Sequence, residues 1–336
     1  MDISVVILAY NEEKNIGECL RAVLNQKYTS GEWDVLVIDG DSTDDTVKIV
    51  QEIQKTSARI RLLSNKKRKI ASGRNLGLTE SRYPFVAFTD ADCIVSEDWL
   101  NKLSKGYKNM LVSDDKPAGV GGGNIPPELS SRFQQALGLY LDSFLGSFNS
   151  PQGRNFSEIR KVESLACLNA LYKKEALMEV GGFDENMGNI AEDRDMNIRL
   201  RKHGYSLYFI PDTSVFHKLR NDLIGWMKNM ALYGRGRAVI SFKHNLFLNP
   251  FFILPMIFIL SMILVPLGFF NSLFFSPLLY FPFIFSYALA ISIKNKKLNL
   301  FPDALAIFIA THFVYSFNLL FKSFAICYNT PDRNPS

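Results

Sequence analysis

The stretch FTDADCIVSED, residues 88–98, carries two carboxylates, Asp90 and Asp92, with one alanine between them at the end of an apolar run (Tyr83, Phe85, Val86, Ala87, Phe88). Acids are poor strand formers, and like charges this close repel. Such a pair asks for a compensating cation, and hard carboxylate oxygens suit Mg²⁺ or Mn²⁺, which would in turn hold a diphosphate. The plainer alternative is that one Asp caps the next helix while the other is solvated. VIDGDSTDDT (37–46) puts Asp39 and Asp41 at a second strand end. An Asp there takes a nucleotide hydroxyl or ring N–H, or only builds a turn. AEDRDMNIRL (191–200) crowds Glu192, Asp193 and Asp195 at a helix start. Asp193 reads as a general base, since clustered acids raise one another's pKa; equally, acids there suit the helix dipole. His217 ends a late apolar strand and becomes a ligand only beside a metal.

The elements that must position these residues follow from hydrophobic period. ISVVILAY is a continuous β-branched run, as in a parallel strand covered on both faces. In NEEKNIGECLRAVLNQ, Ile16, Cys19, Leu20, Val23 and Leu24 fall on one helical face. WDVLVIDG, RIRLLSN and YPFVAFTDA repeat the strand pattern, with helical stretches between them. SLYFIPDTSVFHK reads as one final strand ending at His217. Strand–helix alternation with short connections predicts an α/β fold with a mostly parallel sheet flanked by helices. Ligands of such sheets bind beyond the carboxyl ends of the strands, where the acids lie.

The 336 residues suggest about two domains. No charged residue occurs from Leu246 to Ile293. The expected organisation is a catalytic domain over 1–220, an amphipathic interfacial helix over 221–245, a membrane region with two to three transmembrane helices over 246–325, and a tail over 326–336. Spans are expected near 247–268 and 273–293, with a third near 300–321 that carries Asp303 and His312. KNKK (294–297) marks a cytoplasmic loop and places the catalytic domain on that side of a cell membrane. The net charge is +5, with Lys218, Arg220, Lys228, Arg235, Arg237 and Lys243 clustered before the apolar tail; this favours membrane lipids or a phosphorylated ligand. Nucleic acid is not expected, as no helix-turn-helix, zinc-knuckle or RNP pattern occurs. Four cysteines without CxxC spacing (Cys19, Cys93, Cys167, Cys327) argue against a zinc site or disulfides. MDISVVILAYNEE does not read as a signal peptide.

Taken in order, the motifs SVVILAYNEEKNIGECL, VIDGDSTDDT, ASGRNLG, DAD and VGGFDENMGNIAEDRDMNIRLRKHGY closely resemble those of the family 2 glycosyltransferases, over about residues 3–217. The resemblance implies the GT-A fold, which is Rossmann-like, and a C-terminal transmembrane helical region like that of the branch that builds exopolysaccharide or lipid-linked glycans. It implies that Tyr10, Asn11, Glu12, Asp39 and Asp41 line the nucleotide pocket, with Arg74 near the base or diphosphate. Asp90 and Asp92 would hold ribose and metal, with His217 completing the metal site. Asp193 would be the catalytic base, with Glu192 beside it. Arg235 and Arg237, in YGRGR, would neutralise the leaving diphosphate where processive relatives carry QxxRW, a motif absent here.

The implied reaction is an inverting, Mg²⁺- or Mn²⁺-dependent transfer from a nucleotide-sugar donor, UDP favoured and GDP open, to a lipid-linked or polysaccharide acceptor. Two alternatives stand beside it: transfer to a polyprenyl phosphate, which needs no base, and a non-catalytic nucleotide-sugar-binding module. A nicotinamide-dependent oxidoreductase is excluded, because AYNEEKNIG replaces the required GxGxxG.

Overall fold

A computed structural model describes residues 1–112, 116–127, 130–147, 156–187 and 189–329; the expected tail lies outside the described residues from 330 onward. In chain order the elements begin β1 (Ile3–Ala9), α1 (Ile16–Leu24), β2 (Trp33–Asp39), α2 (Thr46–Gln54), β3 (Ile60–Ser64), α3 (Ile70–Glu80), β4 (Phe85–Asp90), β5 (Cys93–Ile94), α4 (Trp99–Met110), β6 (Lys116–Gly121) and β7 (Asn124–Ile125). Two helices follow, α5 (Arg132–Leu141) and α6 (Phe144–Ser147), then β8 (Arg160–Lys161), β9 (Asn169–Lys173), α7 (Lys174–Glu179), α8 (Glu192–Lys202), β10 (Tyr205–Phe209) and β11 (Val215–His217). The rest is helical: α9 (Leu223–His244), α10 (Pro250–Ile263), α11 (Tyr280–Lys294) and α12 (Phe301–Asn329).

The chain divides into two compact units, Met1–Glu128 with Asn149–Lys218, and Leu129–Phe148 with Leu219–Ser336. The segment holding α5 and α6, expected within the catalytic domain, thus clusters with the C-terminal helices.

In the first unit the expected α/β class holds. Eight strands run in the order β3-β2-β1-β4-β9-β6-β10-β8, with β3, β2, β1 and β4 mutually parallel and β9 antiparallel to both its neighbours. Strand β2 is buried throughout, and β1 everywhere except Leu8, as expected for strands covered on both faces. Alternation sorts the side chains. Ile3, Val5 and Ile7 pack with Leu20, Val23, Trp99 and Leu103 on one face, and Val6, Leu36 and Ile38 pack with Leu78, Leu177 and Met196 on the other. A second, three-stranded sheet has the order β5-β11-β7. It corrects the expectation of one strand through SLYFIPDTSVFHK. The chain breaks at Pro211 and Asp212, the latter left-handed at φ 59°, so β10 stays in the large sheet while β11 joins the small one.

In the second unit, α9 lies along α12. A Cβ on Gly234 would stand 2.3 Å from the Tyr315 carbonyl oxygen, so only glycine permits this approach. Trp226, Met230, Ala238 and Ile240 of α9 are buried. The amphipathic surface pattern expected here is therefore in part a helix-packing pattern.

The expected spans are redrawn. The stretch near 247–268 yields only the 14-residue α10, about 21 Å long against a hydrocarbon core of about 30 Å, because Pro266 and Gly268 fall in a short 3₁₀ turn just beyond it. Among the described residues, two helices are long and apolar enough to cross a membrane: Ser272–Lys294, which joins a 3₁₀ segment to α11, and Leu298–Tyr328, which takes in nearly all of α12. The third apolar segment is thus the longest.

Candidate active site

Parallel pairing sets Ala9 beside Asp39 and Leu8 beside Asp90, so the ends of β1, β2 and β4 deliver Tyr10, Asp39 and Asp90 to one edge of the sheet. Asp39 is buried, and its Oδ2 accepts from the backbone N–H groups of Asp41 (3.0 Å) and Ser42 (3.1 Å). Its Oδ1 is buried with no hydrogen-bond partner, an acceptor aimed at something other than the chain. Tyr10 is 54% exposed.

Asn11 and Asp41 brace the loop. Both are left-handed, at φ 54° and 67°, a region that Asn and Asp tolerate. Asn11 Oδ1 accepts from Thr43 N–H at 2.8 Å, and Asp41 pairs with Arg68, whose guanidinium holds that carboxyl below the usual carboxylate range. Glu12 Oε2 accepts from Asn15 Nδ2 at 2.7 Å.

The DAD segment splits its acids. Asp90 faces Arg74, with Oδ1 3.8 Å from Nη2, and Arg74 Nη1 bonds Glu192. Arg74 and Glu192 side chains are each 7% exposed, and Arg74 Nε is buried with no partner. Burial pushes the Asp90 and Glu192 carboxyls up; Arg74 opposes this, while Asp92 and Asp193 add to the rise at Asp90 and Asp193 adds to it at Glu192. Asp193 enters the first turn of α8 with Oδ1 accepting from Arg194 N–H at 2.6 Å. The turn into α8 passes through Ala191 at φ 57°, a left-handed alanine whose strain costs on the order of 1 kcal/mol.

Asp92 instead meets His217. Strands β5 and β11 are antiparallel with His217 opposite Cys93, and Asp92 Oδ2 lies 3.3 Å from His217 Nε2. Asp92, Cys93 and His217 offer ligand atoms that all lie within 4.8 Å of one another. The expected trio of Asp90, Asp92 and His217 is thus altered: Cys93 stands with the latter two, and Asp90 turns to Arg74. Cys93, one of the four scattered cysteines, is the one that stands within reach of this pair among the described residues.

Sequence reasoning missed Cys93, Lys218 and Asn169. Lys218 N–H donates to the Asp92 carbonyl at 3.1 Å, and its Nζ reaches Glu18 (2.7 Å) and Asn15 (3.1 Å). Asn169, fully buried, accepts from Trp99 Nε1 (2.8 Å) and donates to the Gly123 (2.9 Å) and Thr213 (2.6 Å) carbonyls, tying the loops before β7 and β11 to the large sheet. Asn169→Leu strands three buried polar groups. The expected loss is about 3 kcal/mol, read as a fall in Tm of about 6–12 °C; an unchanged Tm would count against this tie.

Other motif residues are scaffold. Asn75 exchanges two 2.8 Å hydrogen bonds with the Phe183 backbone. Gly182, at φ +67°, has no room for a Cβ beside Asn75. Arg199 pairs with Asp195 at 2.8 Å and donates to the Gly182 carbonyl at 2.7 Å. In the helical unit Arg235 Nε donates to Asn318 Oδ1 and Arg237 Nε to Tyr315 Oη, each at 3.1 Å.

A model of the family described as glycosyl transferase family 2 matches residues 4–181. The chain is 26% identical over 274 residues to the dolichyl N-acetyl-alpha-D-glucosaminyl phosphate 3-beta-D-2,3-diacetamido-2,3-dideoxy-beta-D-glucuronosyltransferase of Methanococcus voltae, covering 80% of this chain and 83% of the relative. It is 25% identical over 250 residues to the poly-beta-1,6-N-acetyl-D-glucosamine synthase of Staphylococcus aureus, covering 74% of this chain but only 56% of that protein. Its fold is similar to that of the mannosyltransferase PcManGT from Pyrobaculum calidifontis, solved with GDP-Man and Mn2+, at a TM-score of 0.61 and 17% identity, covering 92% of this chain and 86% of that one.

Proposed function

This chain belongs to glycosyl transferase family 2 and has the GT-A fold, and from that premise we propose that it moves a sugar from a nucleoside diphosphate, with inversion, to a lipid-linked or polysaccharide acceptor at a membrane face. The observation that carries this reading is the presence, in one unit, of an unpartnered Asp39 oxygen at the strand-end edge of the sheet, the Asp92–His217 pair, and Arg74 held between Glu192 and Asp90. The named acceptor and product of the two relatives support the acceptor class.

Asp39 Oδ1 accepts from the nucleoside, and the exposed Tyr10 ring offers it a flat face. UDP is favoured and GDP remains an option. Asp92 and His217, a carboxylate–imidazole pair, fit a divalent cation, Mg²⁺ or Mn²⁺, with Asp90 beside them on the donor. When bound, that cation supplies positive charge against the donor's diphosphate. Arg74 keeps Glu192 in place and its positive charge near Asp90. Asp193 takes the proton of the acceptor hydroxyl as the oxygen attacks the anomeric carbon. Arg235 and Arg237 give the helical unit positive charge for phosphorylated ligands. The candidate spans support a membrane location for that unit, and the KNKK loop supports a cytoplasmic position for the catalytic unit.

A panel of labelled nucleotide sugars incubated with membranes, with and without EDTA, tests the reading. Transfer from one donor should vanish with EDTA and return with Mn²⁺ or Mg²⁺, and Asp92→Ala should weaken cation-dependent donor binding by at least about tenfold. Donor affinity indifferent to both would end the cation reading.

A further inference from the structure

We propose that Cys93 turns the Asp92–His217 corner into a thiolate-bearing cation site that prefers thiophilic divalent ions, Zn²⁺ or Cd²⁺, over Mg²⁺ and Mn²⁺. Directly opposite residues of an antiparallel pair share a face, and Cys93 and His217 are such a pair. Asp92 reaches both, with Oδ2 3.3 Å from His217 Nε2 and Oδ1 3.7 Å from Cys93 Sγ. Donors bound tetrahedrally at about 2.0–2.3 Å from a metal stand roughly 3.3–3.8 Å apart. Each of these separations meets that spacing, the two being made through different Asp92 oxygens, and one donor atom from each of the three residues can be taken with all of them within 4.8 Å of one another. Gathering one Asp92 oxygen, the imidazole and the thiol onto one ion therefore asks for a closing of at most about 1.5 Å.

The donor set decides the ion. Mg²⁺ and Mn²⁺ favour carboxylate, carbonyl and water oxygens, whereas a sulfur with an imidazole and one carboxylate suits Zn²⁺. Asp92 and His217 keep 26% and 23% of their side chains exposed, so an ion enters from their side and meets the buried thiol last. Coordination exchanges one proton for the metal: the S–H bond breaks, an S–metal bond forms, and the proton leaves to solvent. No electron transfer is involved. The inference rests on the reading above in one respect: if Asp92 and His217 hold the donor's cation, a thiophilic ion displaces that cation and blocks transfer.

The test uses the full-length chain in detergent, titrated with Cd²⁺ and separately with Mn²⁺. Cd²⁺ should produce a thiolate-to-metal charge-transfer absorption at one equivalent per chain and displace Mn²⁺. Cys93→Ser should abolish the absorption and lower Cd²⁺ affinity by at least about 100-fold, with a much smaller change for Mn²⁺; Cys19→Ser and Cys327→Ser should retain it. His217→Ala in the intact-thiol background should weaken the same absorption, which keeps the test decisive if Cys93→Ser does not fold. An absent absorption, one unchanged in Cys93→Ser, or equal losses for both metals would overturn the proposal. Absorption without any Mn²⁺ binding would uphold the thiolate site and end the donor-cation reading instead.

Discussion

Asp193→Asn is expected to reduce transfer to a hydroxyl acceptor by about 100- to 10,000-fold, the usual contribution of a positioned general base, while donor affinity stays nearly constant. Asn preserves the size of the side chain and its 2.6 Å bond to Arg194 N–H, but cannot accept a proton. The residues proposed to grip the donor, Asp39, Asp92 and His217, are untouched. Single-turnover kinetics with saturating donor separates the effects: the chemical step should fall and the donor dissociation constant should not. The size of the loss also reports the acceptor. A lipid monophosphate attacks through an oxygen that is already anionic, so a mild effect with normal donor binding would favour that class, and unchanged turnover on a hydroxyl acceptor would remove Asp193 from the base role.

Arg74→Met should destabilise the catalytic unit by about 3–5 kcal/mol, the cost of leaving a buried charge without its partner. Arg74 and Glu192 side chains are each 7% exposed, so little water compensates; Asp90, with 35% of its side chain exposed, adds less. The loss should depend on pH. Burial already pushes Glu192 up despite Arg74, and without the guanidinium it rises further. A carboxyl that holds its proton more tightly when folded gives stability below its unfolded pKa, about 4.3, and loses it as pH rises through the folded value. The deficit should therefore be small near pH 4 and fullest at neutral and alkaline pH. Tm across that range checks it. A deficit independent of pH would assign the loss to packing, since the Arg74 guanidinium also lies 5.6 Å from the centre of the Phe183 ring.

The strand–helix alternation through β4 was readable because strands of five to seven residues with β-branched runs carry a clear period. The acids at their ends were readable for the same reason: a parallel sheet sends them all to one edge. What escaped came from pieces too short to have a period. Strands β5 and β11 have two and three residues, and only their pairing reveals that Cys93 stands by His217. Side-chain direction escaped as well. Nothing in DAD tells which aspartate turns to Arg74, and nothing in AYN tells that Asn11 spends its carbonyl on a neighbouring loop. In the apolar tail, composition outran geometry: prolines and glycines cut the first stretch short, while the polar Asp303 and His312 did not interrupt α12.

The small sheet also has a consequence for biosynthesis. One edge of the proposed cation corner is made early, at residues 92 and 93, and the other arrives only with residue 217. At roughly 5–20 residues per second, the ribosome leaves the half-built corner open for on the order of ten seconds. A nascent chain stalled before β11 would hold the strand ends of β1, β2 and β4 yet lack the imidazole. Cation affinity should therefore switch on abruptly with chain length, just before the first apolar helix is made.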